Sequence, residues 1–416
     1  MLLDEFRCQA FLARGLAHAT RGDIEHALAD FNEAIQRDPR SASAFAARGY
    51  AHLANRNPDH ALADFDQAIR LDPQAAEAFV GRGMAHSANK NNDRAIADYS
   101  EAIRRDPKSV EAFLKRGIAY SANKNNDRAI ADYSEAIRLD PENVEGFVNR
   151  CIAYSANKDN DRAIADYSEA IRLDPKNVDA FVNRGRAHSA TNDHDRAIAD
   201  CSEAIRLDPA NPFAFAVRGE VHFTDKDNER AIADYQESFA IFERRAASDP
   251  SNTDWQLFLS MAYSSIGDVL VAQGKFDDAF NKYQDSLAMA ERLASSDHSN
   301  IEWQNNLQNS TNRIGNLADQ FVLAQNFAQA LEASDLVIAV APDQKWLHMN
   351  RAHALMFLNR VDEARTIYLR YRGEKDVQDG KPWESLVLED FAELRTAGLT
   401  HPLMDEIEKP FAAGIN

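Results

Sequence analysis

The chain has 416 residues, 44% of them hydrophobic, and a formal net charge of −19. That balance is ordinary for a folded protein and leaves no apolar run near the ~20 residues a membrane helix needs. It also argues against a nucleic-acid backbone as the main partner, which calls for a basic surface. The start, MLLDEFRCQAF, has neither the basic leader nor the apolar core of a secretory signal. Three cysteines without a Cys-x-x-Cys pair or a Cys/His cluster predict neither a disulfide framework nor a zinc site, and no cofactor. A reducing cytoplasm is the natural compartment.

The first unit starts at about Cys8 and carries Phe11, Gly15, His18, Ala27, Phe31, Ala34 and Pro39, with Gly22 between its two apolar segments. The same set returns 34 residues later as Phe45, Gly49, His52, Ala61, Phe65, Ala68 and Pro73. It returns again in Ala76–Ser109, which recurs as Val110–Asn143 with the stretch Ser87–Arg104 repeated residue for residue at Ser121–Arg138. Val144–Asn177 and Val178–Asn211 keep the register. A fixed period of this length marks a stack of small units rather than a globular domain. Within each unit the apolar positions recur at helical spacing on two segments, small where helices press together and aromatic where gaps must be filled. The closing proline ends the second segment. The expected fold is an all-α solenoid.

The seventh unit, from Pro212, has Glu243 where the closing proline belongs, and its second helix runs on to Asp249-Pro250. Trp255 stands twelve residues before Gly267, and Trp303 stands the same distance before Gly315, so the period grows to 48 residues. Helices about two turns longer, ~10 Å, are expected there. Trp255, Leu259, Ala262 and Ile266 share one helical face, which reads the Trp as core. A unit with Phe327, Ala330 and Pro342 follows, then one with Ala352, Leu355, Val361, Ala364 and Tyr368. Asp376–Pro382 is a polar Gly/Pro break. The expected organisation is seven regular units over residues 1–250, three divergent ones over 251–378, and a helical cap over 379–416.

The set Phe79, Gly83, His86, Ala95, Tyr99, Ala102 and Pro107, with its equivalents every 34 residues, resembles the tetratricopeptide repeat (TPR) family. Two departures are a Phe at the early aromatic position and the run Asn89-Lys90-Asn91-Asn92 in place of the inter-helix Gly. Asn tolerates the left-handed conformation such a turn needs. The resemblance implies a right-handed superhelix whose first helices line a concave face where ligands lie. Carried onto this sequence, that face comprises Glu77, Val80, Met84; Glu111, Leu114, Ile118; Glu145, Val148, Ile152; and Asp179, Val182, Arg186. Chaperone-binding members clamp a terminal carboxylate with Lys, Asn and Arg there. Here the floor is mostly aliphatic with an acidic rim, which suits a protein or peptide segment with apolar anchors and some basic residues.

Two ladders run through the repeats: arginines from Arg14 to Arg218, one residue before each small position, and aspartates from Asp30 to Asp234 on the partner helix. Equal numbers at fixed phase predict Arg–Asp pairs between helices rather than an anion track. His18, His52, His86, His188 and His222 share a repeat position that Tyr120 and Tyr154 also fill, so it reads as packing rather than a metal ligand. No phosphate loop, nucleophile elbow or metal-ligand pair is present, which predicts no enzyme. The expected function is a non-enzymatic interaction scaffold, with no nucleic acid and no membrane insertion. The alternative is a regulatory or substrate-presenting arm of an enzyme whose catalytic subunit is another chain. Self-association through the terminal repeats stays open.

Overall fold

The computed structural model describes residues 2–412 except Asp376 and Asp379. Each repeat is a helix hairpin. The first is α1 (Leu2–Thr20) with α2 (Ile24–Arg37), and the second is α3 (Ala42–Ala54) with α4 (Pro58–Leu71). Then come α5 (Ala76–Ala88) with α6 (Asn92–Arg105) and α7 (Val110–Ala122) with α8 (Asn126–Leu139). The fifth pair is α9 (Val144–Ala156) with α10 (Asn160–Leu173), and the sixth is α11 (Val178–Ala190) with α12 (His194–Leu207). Next are α13 (Pro212–Thr224) with α14 (Asn228–Ser248), and α15 (Thr253–Ala272) with α16 (Phe276–Ser296). The last pairs are α17 (Ile301–Leu323) with α18 (Phe327–Val340) and α19 (Lys345–Phe357) with α20 (Val361–Arg370). They are followed by α21 (Trp383–Thr396) and α22 (Pro402–Ala412). The chain forms two compact units, Met1–Glu203 and Ala204–Asn416. Each is an α-solenoid built from these hairpins. A lone β-bridge, Gln378 with Lys381, is the only strand-like pairing among the described residues.

Local chemistry sets the hairpin. Asp106 ends α6 in extended conformation, and Ser109 caps α7 by accepting from the Ala112 amide at 3.2 Å. Asn143 and Asn177 do the same for α9 and α11. In the turn Asn89-Lys90-Asn91-Asn92 the left-handed residue is not an Asn but Lys90, with φ 57°. Asn91 accepts from the Arg94 amide and caps α6 instead. The helix-end hydrogen bonds Lys90 N to Ser87 O and Asn91 N to His86 O, both 2.9 Å, hold Lys90 in a conformation that Gly22 and Gly274 occupy without strain. In this turn asparagine is recruited for its cap and the position before it takes the strain, whereas in the sixth and tenth pairs the left-handed residue is an asparagine, Asn192 and Asn359.

In the stack, Tyr99, Tyr133 and Tyr167 are almost wholly buried. A Cβ placed on Gly117 would lie 2.5 Å from the Tyr133 ring, so the small position is set by that close approach. Cys151 occupies the same position in the fifth repeat, fully buried, with its thiol donating to Phe147 O. The Arg and Asp ladders meet as predicted. Arg116 donates to both oxygens of Asp132 at 2.7 Å, and equivalent pairs join Arg14–Asp30, Arg48–Asp64, Arg82–Asp98, Arg150–Asp166, Arg184–Asp200 and Arg218–Asp234.

The ladder does more than the sequence implied. The remaining guanidinium nitrogen reaches back to the preceding repeat's second helix: Arg48 to Asn32 at 2.7 Å, Arg82 to Asp66 at 2.8 Å, Arg116 to Ser100 at 3.1 Å and Arg150 to Ser134 at 3.0 Å. Each guanidinium also sits over the Phe three residues earlier on its own helix, as Arg116 does over Phe113 at 5.6 Å. One side chain thus ties three helices of two repeats.

The lengthened helices are present. α14, α15, α16 and α17 have 21, 20, 21 and 23 residues, against 13 or 14 in α3 to α11. The added turns of α14 begin by burying Phe242, beside Ile241. Phe242 stacks on Phe258 at 5.4 Å, and Trp255 packs beside both rings with Arg245 over its face. Trp255 is therefore a packing residue, half-buried at the edge. Between the long helices lies a buried polar network that the apolar pattern did not show. Ser286 Oγ is within 3.1 Å of Ser260, Ser264 and Ser310, and Asn306 donates to Ser260. Small hydroxyl residues let these helices approach while pairing with one another.

At the end of the chain, Trp383 is fully buried and its indole N–H donates to Tyr368 O at 2.9 Å. Val377 and Lys381 pair across the Gly/Pro break, while Asp376 and Asp379 of that break lie outside the described residues.

Candidate functional site

The first helix of each pair exposes one face, and the residues expected there divide by depth. Glu77, Glu111, Glu145 and Asp179 are exposed, as is Arg186. Val80, Leu114 and Val182 are 3 to 4% exposed and belong to the core between helices. Met84 and Val148 are half-buried. Ile118 and Ile152 stand out at 38% and 50% exposure. The accessible apolar position is thus the residue after the small one, and the same position in the first two repeats holds Leu16, 48% exposed, and Tyr50. Sequence reasoning omitted these two, although the 34-residue register points to them.

The helix frame makes this face stiff. Tyr50 donates to the Glu77 carbonyl of the next repeat at 2.9 Å, and Lys115 lies 3.5 Å from Glu145 across one repeat step. Ser87 and Ser121 hydroxyls sit 3.4 Å from the hydroxyls of Tyr99 and Tyr133, so they serve the buried tyrosines. The repeated histidines face the ladder: the Nε2 atoms of His52 and His86 lie 3.8 Å from Asp64 and Asp98. Burial depresses both histidines below their ordinary value. Burial pushes the Cys151 thiol well up, which suits a packing group and not a nucleophile.

In the second unit the corresponding face is polar. Asp268 accepts from Tyr283 at 2.7 Å and from Arg313 at 2.9 Å. Gln344 donates to Gln308, which donates to Asn312, and Trp346 donates to Gln344. In the last repeat the position after the small residue is His353, which is buried beneath α21, with Phe391 5.8 Å away and Asp390 4.0 Å away. The chain's own helix therefore covers there the position that is open in the first unit. Its residues Trp383, Leu386, Val387, Phe391 and Leu394 are buried in the core of the second unit.

That contact gathers acids. Burial, and after it Glu393, pushes Asp319 up to about 6. Burial, followed by Asp319, pushes Asp390 up to about 7. Each carboxyl keeps its proton in the folded chain at a pH where the unfolded chain has lost it. Stability is therefore fully present below the unfolded carboxylate value, ~3.9, and is lost as pH rises from there through these values. His353, driven down to about 3 by burial, works in the opposite sense and subtracts stability once pH falls below the unfolded histidine value, ~6.5. Below ~6.5 the two effects compete, and the carboxylates act alone only from there to about 7, above which they are ionised in both states. Calorimetry is expected to show melting of the second unit falling across that window. Asp390→Asn should flatten the slope, and an unchanged slope would place the effect elsewhere.

A model described as tetratricopeptide repeat matches residues 12–76, 46–109, 80–144 and 151–212, and a second of the same description matches 259–300. The chain belongs to the tetratricopeptide repeat family. The first three matches begin 34 residues apart, in the register of the TPR hairpins described above. Among solved structures, the TPR protein YrrB, described as having an unusual peptide-binding site, is 21% identical, covering 44% of this chain and 95% of its own, with a TM-score of 0.39. A TPR protein from Parabacteroides merdae is 15% identical over 62% of this chain and 98% of its own, TM-score 0.47. PilF of Pseudomonas aeruginosa is 20% identical over 52% and 99%, TM-score 0.47. A search of curated proteins found no match. Among the described residues no TPR helix is long and apolar enough to cross a membrane.

Proposed function

We propose that this TPR chain is a non-enzymatic protein-interaction scaffold of the cytoplasm, and that the first-helix face of the repeats is its concave binding groove. The observation that carries this reading is the row of accessible apolar side chains at one repeat position, Leu16, Tyr50, Met84, Ile118 and Ile152, beside the exposed acids Glu77, Glu111, Glu145 and Asp179. Apolar groups held open on rigid helices provide anchors, and the acid row sets charge selectivity and encounter rate. The occupant is an extended or helical protein segment with apolar anchors and basic flanks. The seating of α21 over His353 supports it, because the equivalent face at the last repeat accommodates an apolar helix stripe. Buried thiols at Cys8, Cys151 and Cys201 suit a reducing compartment.

The test starts from a partner captured on the intact protein and then measured by calorimetry. Ile118→Ala with Ile152→Ala is expected to weaken binding by ~1–3 kcal/mol through lost apolar contact. Glu111→Lys with Glu145→Lys should mainly slow association and reverse its salt dependence. Leu114→Ala, inside the core, should lower stability and leave affinity close to the parent's. A partner that binds both surface variants as tightly as the parent does not use this groove.

A further inference from the structure

The turn of the first repeat brings together three side chains that no other repeat combines. His18 is in the last turn of α1, Asp23 caps α2, and His26 is in the first turn of α2. Asp23 Oδ1 lies 2.8 Å from His26 Nδ1, and its Oδ2 lies 3.3 Å from His18 Nδ1. The three ligand atoms all fall within 4.8 Å of one another, and the two imidazoles stack at 5.3 Å with 25° between planes. In a tetrahedral zinc site with bonds of ~2.0–2.1 Å, neighbouring ligand atoms stand about 3.3–3.4 Å apart, so the spacing needs only a small closure.

The repeat register supplies internal comparisons. The second repeat keeps both histidines, His52 and His60, with rings 5.2 Å apart, but has Asn57 where the first has Asp23. There Asn57 contacts His60 at 2.8 Å, and the Nδ1 of His52 is buried without a partner. In the third to seventh repeats the place of His26 is taken by Arg94, Arg128, Arg162, Arg196 and Arg230, whose positive charge opposes a cation. Neither a packing histidine nor a helix cap requires a second imidazole stacked on the first, and His26 is largely solvent-exposed, so it adds little to the core.

We propose that His18, Asp23 and His26 form a binding site for a divalent transition metal of the zinc class, with two imidazoles, one carboxylate and at least one coordination position open. Imidazole with carboxylate suits Zn2+, Co2+, Ni2+ and Cu2+ rather than Mg2+ or Ca2+.

The experiment uses untagged, chelator-treated full-length protein titrated with Zn2+ by calorimetry and with Co2+ by visible absorption. The parent is expected to bind one equivalent, with Co2+ bands of a low-coordinate site. Loss of even an outer-shell partner costs about 10–100-fold in metal affinity, so His26→Ala should weaken binding at least about tenfold. His26 is exposed enough that its removal leaves the fold intact, which circular dichroism checks. Asn57→Asp should raise the stoichiometry to two. A parent that takes up no Zn2+, or a His26→Ala protein that binds it as tightly, overturns the site. An Asn57→Asp protein that stays at one equivalent overturns the claim that these three residues suffice.

Discussion

Replacing Asp132 with alanine is expected to destabilise the first unit by roughly 2–4 kcal/mol, between the cost of losing a charged hydrogen bond and that of stranding a fully buried charge. Asp132 has 8% of its side chain accessible and Arg116 19%, so the guanidinium cannot recover full hydration when its partner is removed. The loss is not confined to one hairpin. With Asp132 gone, Arg116 no longer holds the geometry that lets it reach Ser100 at 3.1 Å, and the link between the third and fourth repeats weakens. Stability in a stack is a sum of unit terms and neighbour terms, and this substitution lowers both. Denaturant unfolding should therefore shift to lower midpoint and broaden, as the stack separates into independently melting parts. Asp132→Asn, which keeps one acceptor, should fall between. Arg116→Lys should resemble the alanine variant more than the parent, because an ammonium cannot make the forked pair and the backward contact together. An unfolding free energy within about 0.5 kcal/mol of the parent's would show the ladder to be surface decoration.

Trp383→Ala is expected to cost about 3–5 kcal/mol and to release α21 and α22 from the second unit. The indole is fully buried, packs against Tyr371 at 5.1 Å, and supplies the hydrogen bond to Tyr368 O. Its removal leaves both a cavity and a buried unpaired carbonyl. Trp383→Phe keeps much of the volume and loses only the donor, so its cost should be nearer 1–3 kcal/mol. Hydrogen exchange is the deciding measurement. In the alanine variant, amides of α21 and the newly uncovered α19 should lose protection while α15 to α17 keep theirs. Uniform loss across the second unit would mean that the terminal helices fold together with the long ones as one block.

How much of this was legible beforehand depends on whether the cause is local. The 34-residue period, the hairpins, the Arg–Asp pairing and the longer helices after the missing proline follow from spacing, because each arises within a hairpin that recurs unchanged. The left-handed residue was misread at Asn89–Asn92 because a propensity argument named a tolerant residue, whereas the cap geometry of α6 assigned Asn91 another role. The candidate face was partly legible. The acids at the start of each first helix are exposed as their position implies. Leu114 and Ile118 are equally apolar and four residues apart, and nothing in their own helix says that one is 4% and the other 38% exposed. That difference comes from the neighbouring repeats, which cover one side of the helix and not the other.

The sequence by itself determined an all-α array, its register and its charged ladders, because a repeated short-range pattern leaves one way to bury both helices of each hairpin. Only the tertiary structure decided which side chains stay accessible, that each arginine also binds the repeat before it, that α21 covers His353, and that His26 meets His18 across a turn. Each of these is a contact between segments whose sequences carry no record of one another, fixed by how the helices pack and by what is left over when they have.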